Sequence, residues 1–297
     1  MTTSKASGWV AIVNPRSGGR TRPRSFLQRL QSAVGEVLIS DGPGRVDALV
    51  RSCRDASGIL VAGGDGTLFE VLQACDRSRQ KIVLLPAGRG NSLAKDLGIT
   101  SAADPAACIA HGTDLSIDLL AVTLRHADGM QWEGVSASNL AIGYPAEVAH
   151  AASKWRRLRG GSYAVAAATA LPTPLQLRLR CDEVNVEAAD LTGFVISNSR
   201  YVGPFMGFPS SRLSDGVLHT VEMRAGPLGQ ALHNVSSLSG LGFYEPVVRR
   251  DVKAVDVRLD APALLKIDGE IRCDVVAIDV RVQPGAVTFR VPAAPHA

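Results

Sequence analysis

Val61-Ala62-Gly63-Gly64-Asp65-Gly66-Thr67-Leu68 is the stretch on which the reading of this chain turns. Upstream, Ile59-Leu60-Val61-Ala62 is an apolar run of strand length. Downstream, Leu68, Val71, Leu72 and Cys75 recur at helical spacing. Strand, glycine-rich loop and helix therefore follow one another directly. The same grammar appears on either side. Trp9 to Val13 reads as a strand and ends in Asn14-Pro15-Arg16-Ser17-Gly18-Gly19, after which Phe26, Leu27, Leu30 and Val34 keep helical spacing. Val37-Leu38-Ile39 is a further strand, and Val46, Leu49, Val50 and Cys53 a further helix. Lys81 to Leu85 is a strand that ends in Pro86-Ala87-Gly88-Arg89-Gly90-Asn91-Ser92. Repeated strand–loop–helix alternation predicts an α/β domain with a mostly parallel sheet over residues 1–118.

Beyond Asp118 the period changes. Leu175, Leu177 and Leu179 alternate with Gln176, Arg178 and Arg180, and Val255, Val257 and Leu259 with Asp256, Arg258 and Asp260. Val276, Ile278, Val280 and Val282 alternate in the same way. Period two predicts strands with one wet face, as in antiparallel sheets. Residues 119–287 are thus expected to form a mainly β second domain, interrupted by helices at Ala146 to Leu171 and Leu228 to Leu241.

Composition narrows the function classes. The 297 residues are 46% hydrophobic and 20% charged, which suits a packed core and excludes wholesale disorder. Lys and Arg number 32 and Asp and Glu 28, a balance of +4 that argues against nucleic acid as the partner. No apolar stretch reaches the ~18 residues of a membrane span. Met1 to Gly8 lacks the apolar core of a secretory signal. Cys53, Cys75, Cys108, Cys181 and Cys273 are scattered, as expected of reduced thiols in a cytoplasmic protein. The histidines show no zinc spacing.

The three glycine-rich loops fall at the C-terminal ends of parallel strands, where open α/β sheets bind ligands. Glycine admits close backbone approach, and amides at helix N-termini suit phosphate. Lys5, Arg16, Arg20, Arg22, Arg24 and Arg29 all precede the first acidic residue, Glu36. Ordinary tight turns beside a solvated basic face would explain one such loop, but not three in equivalent places. The chain has no G-x-x-x-x-G-K-[ST] loop. Phe69 stands where G-x-G-x-x-G would need glycine, so a dinucleotide-dependent dehydrogenase is poorly supported. A carboxylate amid phosphate-binding backbone makes sense if Asp65 works through Mg²⁺ or orders the loop.

These residues resemble the diacylglycerol kinase catalytic-domain superfamily, which includes bacterial lipid kinases and sphingosine kinases. The series comprises Asn14-Pro15-x-Ser17-Gly18, the Gly63 to Thr67 loop, Pro86 to Ala94, Ser116-Ile117-Asp118, Asn139 to Val148, Ser214-Asp215-Gly216-Val217-Leu218 and Ile267-Asp268-Gly269-Glu270. It runs in family order over residues 14–270. NAD kinases share only the Gly-Gly-Asp-Gly-Thr loop of this series.

The resemblance implies a phosphofructokinase-like, Rossmann-like nucleotide domain, rejoined by residues 288–297, and a β-sandwich lipid domain, with the active site in the cleft. It implies an ATP- and Mg²⁺-dependent kinase of diacylglycerol, a sphingoid base or a related lipid, cytoplasmic and peripheral to the membrane. Its nucleotide would be bound by Asn14, Ser40, Gly63, Gly64, Asp65, Gly66, Thr67, Gly88, Arg89 and Asn91. Glu270 would be the general base, Asp268 the runner-up, and Asp65 would act through Mg²⁺ or a water. Asp215, with the carbonyls of Arg212 and Val217, would ligate a metal ion, although Asp-Gly is equally a hairpin signal there and at Asp268-Gly269. Arg89 and Phe69 depart from the family, where Thr, and Asn or His, are usual. Those departures keep open a weakly active or non-catalytic nucleotide- or lipid-binding protein, and a kinase of a soluble alcohol or NAD. Lys154, Trp155, Arg156, Arg157 and Arg159 are either a solvated helix face or a surface for transient contact with anionic membrane. Phe205, Met206 and Phe208 are either core or lipid-pocket lining. A homodimer is compatible with the chain.

Overall fold

A computed structural model describes residues 6–17, 24–42, 44–88, 90–100, 104–154, 166, 174–202, 206–208, 211–223 and 247–293. The chain divides into two compact units, Met1–Leu119 with Pro284–Ala297, and Leu120–Gln283.

In the first unit, β1 (Ala6–Val13), β2 (Val34–Ile39), β3 (Gly58–Gly63) and β4 (Lys81–Pro86) pair in parallel in the order β4-β3-β1-β2. Parallel strands need crossovers, and α1 (Arg24–Ala33), α2 (Val46–Ser52) and α3 (Asp65–Ala74) supply them. Both faces are covered, which is why these strands are continuous apolar runs. Trp9, Ala11, Val13, Leu60, Ala62, Val83 and Leu85 share one core with Leu30 of α1 and with Cys108 and Ile109 of α5 (Pro105–His111). Ile12, Ile59, Val61, Ile82 and Leu84, with the opposite parity, are buried as well. Val34, grouped with the first helix on spacing, is instead the first residue of β2. It is fully buried in the same core as Leu30, so its position satisfied the helical period while its branched side chain starts the strand.

Two long strands, β5 (Thr113–His126) and β16 (Glu270–Val291), begin in one unit and end in the other. The far end of β16 adds to the first sheet in parallel, Phe289 opposite Ile82. Asp118 is buried there, and its Oδ1 accepts from the Gly285 amide at 2.8 Å.

The second unit is antiparallel. β7 (Asn139–Gly143), β10 (Gly193–Ser197), β13 (Leu218–Met223) and β14 (Val247–Val252) form one ladder, joined by the later half of β15 (Ala254–Ile267). The earlier half of β15 pairs instead with β8 (Leu175–Cys181), itself paired with β9 (Val184–Leu191). The register of β15 against β16 breaks between Arg258 and Ala263. Such irregularities let one strand serve two layers of a sandwich. Of the helix expected over 146–171, α6 (Tyr144–Lys154) is seen, and most of the remainder lies outside the described residues, as does the helix expected over 228–241. α6 starts after Gly143, which adopts φ +71°, and a Cβ there would stand 2.6 Å from the Thr192 carbonyl oxygen.

Candidate functional site

The order β4-β3-β1-β2 has a switch point. The chain steps outward from β1 to β2, then returns past β1 to β3 and on to β4. Open α/β sheets bind ligands beyond the strand ends at such a point, here those of β1 and β3. The residues at these ends are tied to one another. The Asn14 amide Nδ2 donates to Thr67 Oγ1 at 3.1 Å, and Ser17 Oγ lies 3.5 Å from the same hydroxyl. The Arg16 amide donates to Asn14 Oδ1 at 3.0 Å, so Asn14 both shapes its own turn and reaches the second loop.

The second and third loops are equally joined. Gly64 is the N-cap of α3, and it packs directly on Gly88 after β4: a Cβ on Gly64 would stand 2.9 Å from the Gly88 Cα, and one on Gly88 2.5 Å from the Gly64 Cα. The Ala87 amide donates to the Gly63 carbonyl at 2.7 Å. Asp65, in the first turn of α3, accepts at Oδ1 from the Ser92 amide at 2.9 Å, across to α4 (Ser92–Asp96). Asp65 therefore orders the loops, one of the two uses read from the sequence. Asn91 closes the third loop on itself: its Oδ1 accepts from the Gly88 amide and its Nδ2 donates to the Gly88 carbonyl, both at 3.0 Å. This needs φ +48° at Asn91, a conformation asparagine tolerates better than most residues. Ser40, after β2, is buried, and its hydroxyl donates to the Gly42 carbonyl at 2.9 Å. Phe69 is buried on α3 and belongs to the core. Arg89, with Gly18, Gly19, Arg20 and Arg22, lies outside the described residues.

In the second unit, Asp268 sits at φ +47° in the two-residue turn between β15 and β16. Its carboxylate is buried and accepts four hydrogen bonds. Oδ1 takes the Ser136 hydroxyl at 2.7 Å and the Ser138 and Asn139 amides at 2.9 and 3.0 Å, and Oδ2 takes the Ala137 amide at 3.0 Å. A carboxylate so occupied is a clasp for the segment between β6 (Gln131–Ser136) and β7, which leaves it ill-suited to the runner-up role as a base. Asn139 is buried beside it and accepts at Oδ1 from Lys266 Nζ at 2.8 Å. Glu270 opens β16 opposite Ile267, half-buried, on the turn that Asp268 holds.

The Asp215 turn has a different character from the one expected. Asp215 Oδ2 accepts from the Arg212 amide at 3.0 Å and Oδ1 from the Val217 amide at 3.2 Å. The expected residues do meet, but the contact seen is amide to carboxylate. His219 Nε2 also stands 3.2 Å from Asp215 Oδ2, while its Nδ1 is 2.7 Å from Asp251 Oδ1. An imidazole nitrogen in the set does not suit Mg²⁺, which takes oxygen ligands. Among the described residues no group of three or more His, Cys, Asp and Glu is gathered as a metal cluster. The close glycine pair and the Asp65 carboxylate between amide-rich loops fit Mg²⁺ entering with a nucleotide and keeping few protein ligands.

His219, Asp251, Lys266 and residues 136–138 were not singled out in the sequence, and Ser92 and Asn139 stood in quoted segments without a role of their own. Their partners are 27 to 132 residues away in all but the Asp215–His219 pair, which the histidine just after Asp-Gly-x-Leu could have signalled. The basic cluster Trp155, Arg156, Arg157 and Arg159 lies outside the described residues, as does Phe205; Phe208 is buried against Val195 and Val221.

An α/β unit with glycine-rich loops at its strand ends and an antiparallel β unit make up the class of protein to which the chain belongs. The diacylglycerol kinase catalytic domain family matches residues 8–122, and the YegS C-terminal NAD kinase beta sandwich-like domain family matches residues 138–291. The chain belongs to the diacylglycerol kinase catalytic-domain superfamily. It is similar to a diacylglycerol kinase of Mycobacterium tuberculosis, 26% identical over 94% of this chain and 93% of that one. It is also similar to a Pseudomonas aeruginosa protein named "Probable lipid kinase YegS-like", 27% identical over 96% and 94%. A crystal structure of a diacylglycerol kinase from Bacillus anthracis shares the fold, with a TM-score of 0.70, 16% identity and 97% of each chain covered.

Proposed function

We propose that the chain is an ATP-dependent lipid kinase that transfers the γ-phosphoryl group to a hydroxyl of diacylglycerol, a sphingoid base or a related lipid. The observation that carries this reading is the joining of three loops at the switch point, through Asn14–Thr67, Gly64–Gly88 and Asp65–Ser92. Backbone amides of the Gly63 to Thr67 loop bind phosphate oxygens, the third loop closes on itself through Gly88 and Asn91 to hold its place beside them, and only glycine at 64 and 88 permits the approach. Mg²⁺, when bound with ATP, neutralises phosphate charge. Asp65 holds the loops in register and orients water at the phosphates. Asn14 and Thr67 fix the first loop against the second, and Ser40 shapes the segment after β2. Glu270 accepts the proton of the attacking hydroxyl, so the oxygen gains nucleophilicity as its bond to the γ-phosphorus forms and the bond from that phosphorus to the bridging oxygen breaks, releasing ADP. Phosphoryl transfer asks the protein mainly for positioning and charge stabilisation, and rigid loops supply the first.

Among the described residues no helix is long and apolar enough to cross a membrane. That is in keeping with an enzyme that meets its lipid at the membrane surface. The test is ATP turnover in mixed lipid micelles with Mg²⁺, run on wild type and Asp65→Ala side by side. Lipid-dependent turnover that disappears in the variant supports the reading. A folded wild type that binds ATP but shows no turnover points to a non-catalytic binder or a soluble acceptor.

A further inference from the structure

β16 opens in a regular ladder on β15, with Ile267 opposite Glu270 and Leu265 opposite Arg272. Residues two apart on a strand share a face, so Glu270 and Arg272 point the same way, beside the fully buried Leu265 and Ile267. β6 runs past this face in the opposite direction. Ser136 Oγ donates to Asp268 Oδ1 at 2.7 Å, and the Arg272 guanidinium carbon lies over the Trp132 ring, 5.5 Å from its centroid. Midway between those two contacts stand Gly134, which contributes no side chain, and Glu270. Arg272 is half-buried, and its Nε is shut off from solvent without a hydrogen-bond partner. Among the described residues no carboxylate forms an ion pair with it. The acidic groups around it are engaged elsewhere or turned away. Asp268 already accepts four hydrogen bonds. Glu133 alternates with Trp132 onto the other face of β6 and takes Gln131 Nε2 at 2.6 Å, and Asp274 is exposed. The two other half-buried arginines described in this unit, Arg250 and Arg258, have carboxylate partners in Glu222 and Asp279.

We propose that Arg272, steadied by Trp132, is a binding residue for a phosphate oxyanion of the lipid beside Glu270. A guanidinium half removed from water needs compensation. The indole face supplies part of it, but a ring cannot satisfy the N–H donors. A phosphate can, because the planar fork matches two of its oxygens. The indole also holds a long side chain in one place, so less freedom is lost when the anion arrives. Two strand residues, about 6.6 Å, separate Glu270 from Arg272, which puts the anion to one side of the hydroxyl that Glu270 deprotonates. That phosphate has two possible sources: the group newly joined to the acceptor, or a diester already present in the head group of an anionic lipid. A sphingoid base brings an ammonium group to the same place and is disfavoured beside an uncompensated cation. The inference rests on the lipid-kinase reading for the nature of its ligand.

The test measures binding without nucleotide or turnover, so its failure is distinct from failure of the kinase reading, which lipid-dependent turnover decides. The full chain, as wild type, Arg272→Gln and Arg272→Lys, is titrated calorimetrically with three short-chain lipids below their micelle concentrations. These are dihexanoyl phosphatidate, dihexanoyl phosphatidylmethanol and dihexanoylglycerol. We expect wild type to bind one of the phosphate lipids at least about 10-fold more tightly than dihexanoylglycerol. Arg272→Gln should weaken that lipid about 10–100-fold and leave dihexanoylglycerol unchanged. Arg272→Lys should keep part of the preference, since it retains the charge without the fork. Preference for phosphatidate identifies the transferred group as the ligand, and preference for phosphatidylmethanol a head-group diester. Absence of binding, equal wild-type affinity for the three lipids, or a preference unchanged in Arg272→Gln overturns the proposal. A variant with lowered Tm and the wild-type order of affinities overturns it as well, as a purely structural brace on Trp132 predicts.

Discussion

Gly64 and Gly88 approach so closely that neither tolerates a side chain. Gly64→Ala and Gly88→Ala each place a Cβ within 2.9 Å of the other residue's backbone. Each should cost about 1–3 kcal/mol through forced displacement of a loop and weaken ATP binding, measurable by calorimetry and thermal denaturation. A variant that binds ATP with wild-type affinity would detach this contact from nucleotide binding. The thiols form a second residue-scale test. Burial pushes Cys75 and Cys108 up to about 11 and raises Cys53 and Cys181 as well, whereas Cys273 is exposed. Thiolate is the reactive form. Only one of the five cysteines should therefore react rapidly with an aromatic disulfide reagent in the native protein at pH 8, and Cys273→Ser should abolish that phase. Residue identity was readable in the loops, where the chemistry is local. It failed at His219 and Ser92, whose meaning depends on which distant strand or loop folds beside them.

Elements show why some partners were out of reach. The turn between β15 and β16 reads from sequence as Asp-Gly between apolar runs, and it is a two-residue turn. What the pattern does not contain is the clasp of the Asp268 carboxylate on residues 136–139, more than 120 positions away. Asp268→Ala strips the acceptor from three amides and a hydroxyl. It should destabilise the β unit by roughly 3 kcal/mol or more, at about 1 kcal/mol or more for each buried group left unpaired. Asp268→Asn keeps one acceptor oxygen and should cost less; equal costs in denaturant titrations would contradict the clasp. In α6, burial raises the carboxyl of Glu147. Folding then favours its protonated form. The resulting penalty is absent below the unfolded carboxyl range near ~4.3, sets in as pH rises through it, and is complete above the folded value. Glu147→Gln should accordingly raise Tm by about 1–2 °C at pH 7 and not at pH 4. Val34 shows the limit of periodicity at this scale: one buried face served both a helix end and a strand start.

At the scale of the molecule, the change of period after Asp118 and the ordered loop series carried the two-part reading. Strand–helix alternation states a parallel sheet because crossovers require helices, and period two states an antiparallel one because one face is wet. Strand order was not legible. The return past β1 that creates the switch point is a fact of pairing, as is the division of β15 between β8 and β7. In the proposed function, the glycine loops hold phosphates and Glu270 takes a proton from a lipid hydroxyl. This central claim is tested most directly by following ³²P from [γ-³²P]ATP into extracted lipid, using micelles that contain diacylglycerol or a sphingoid base, for wild type and Glu270→Gln. The account predicts labelled lipid with wild type and a loss of at least about 100-fold in rate for the variant, with ATP affinity unchanged. Absence of labelled lipid from any acceptor in a folded, ATP-binding wild type, or a variant as fast as wild type, would contradict it.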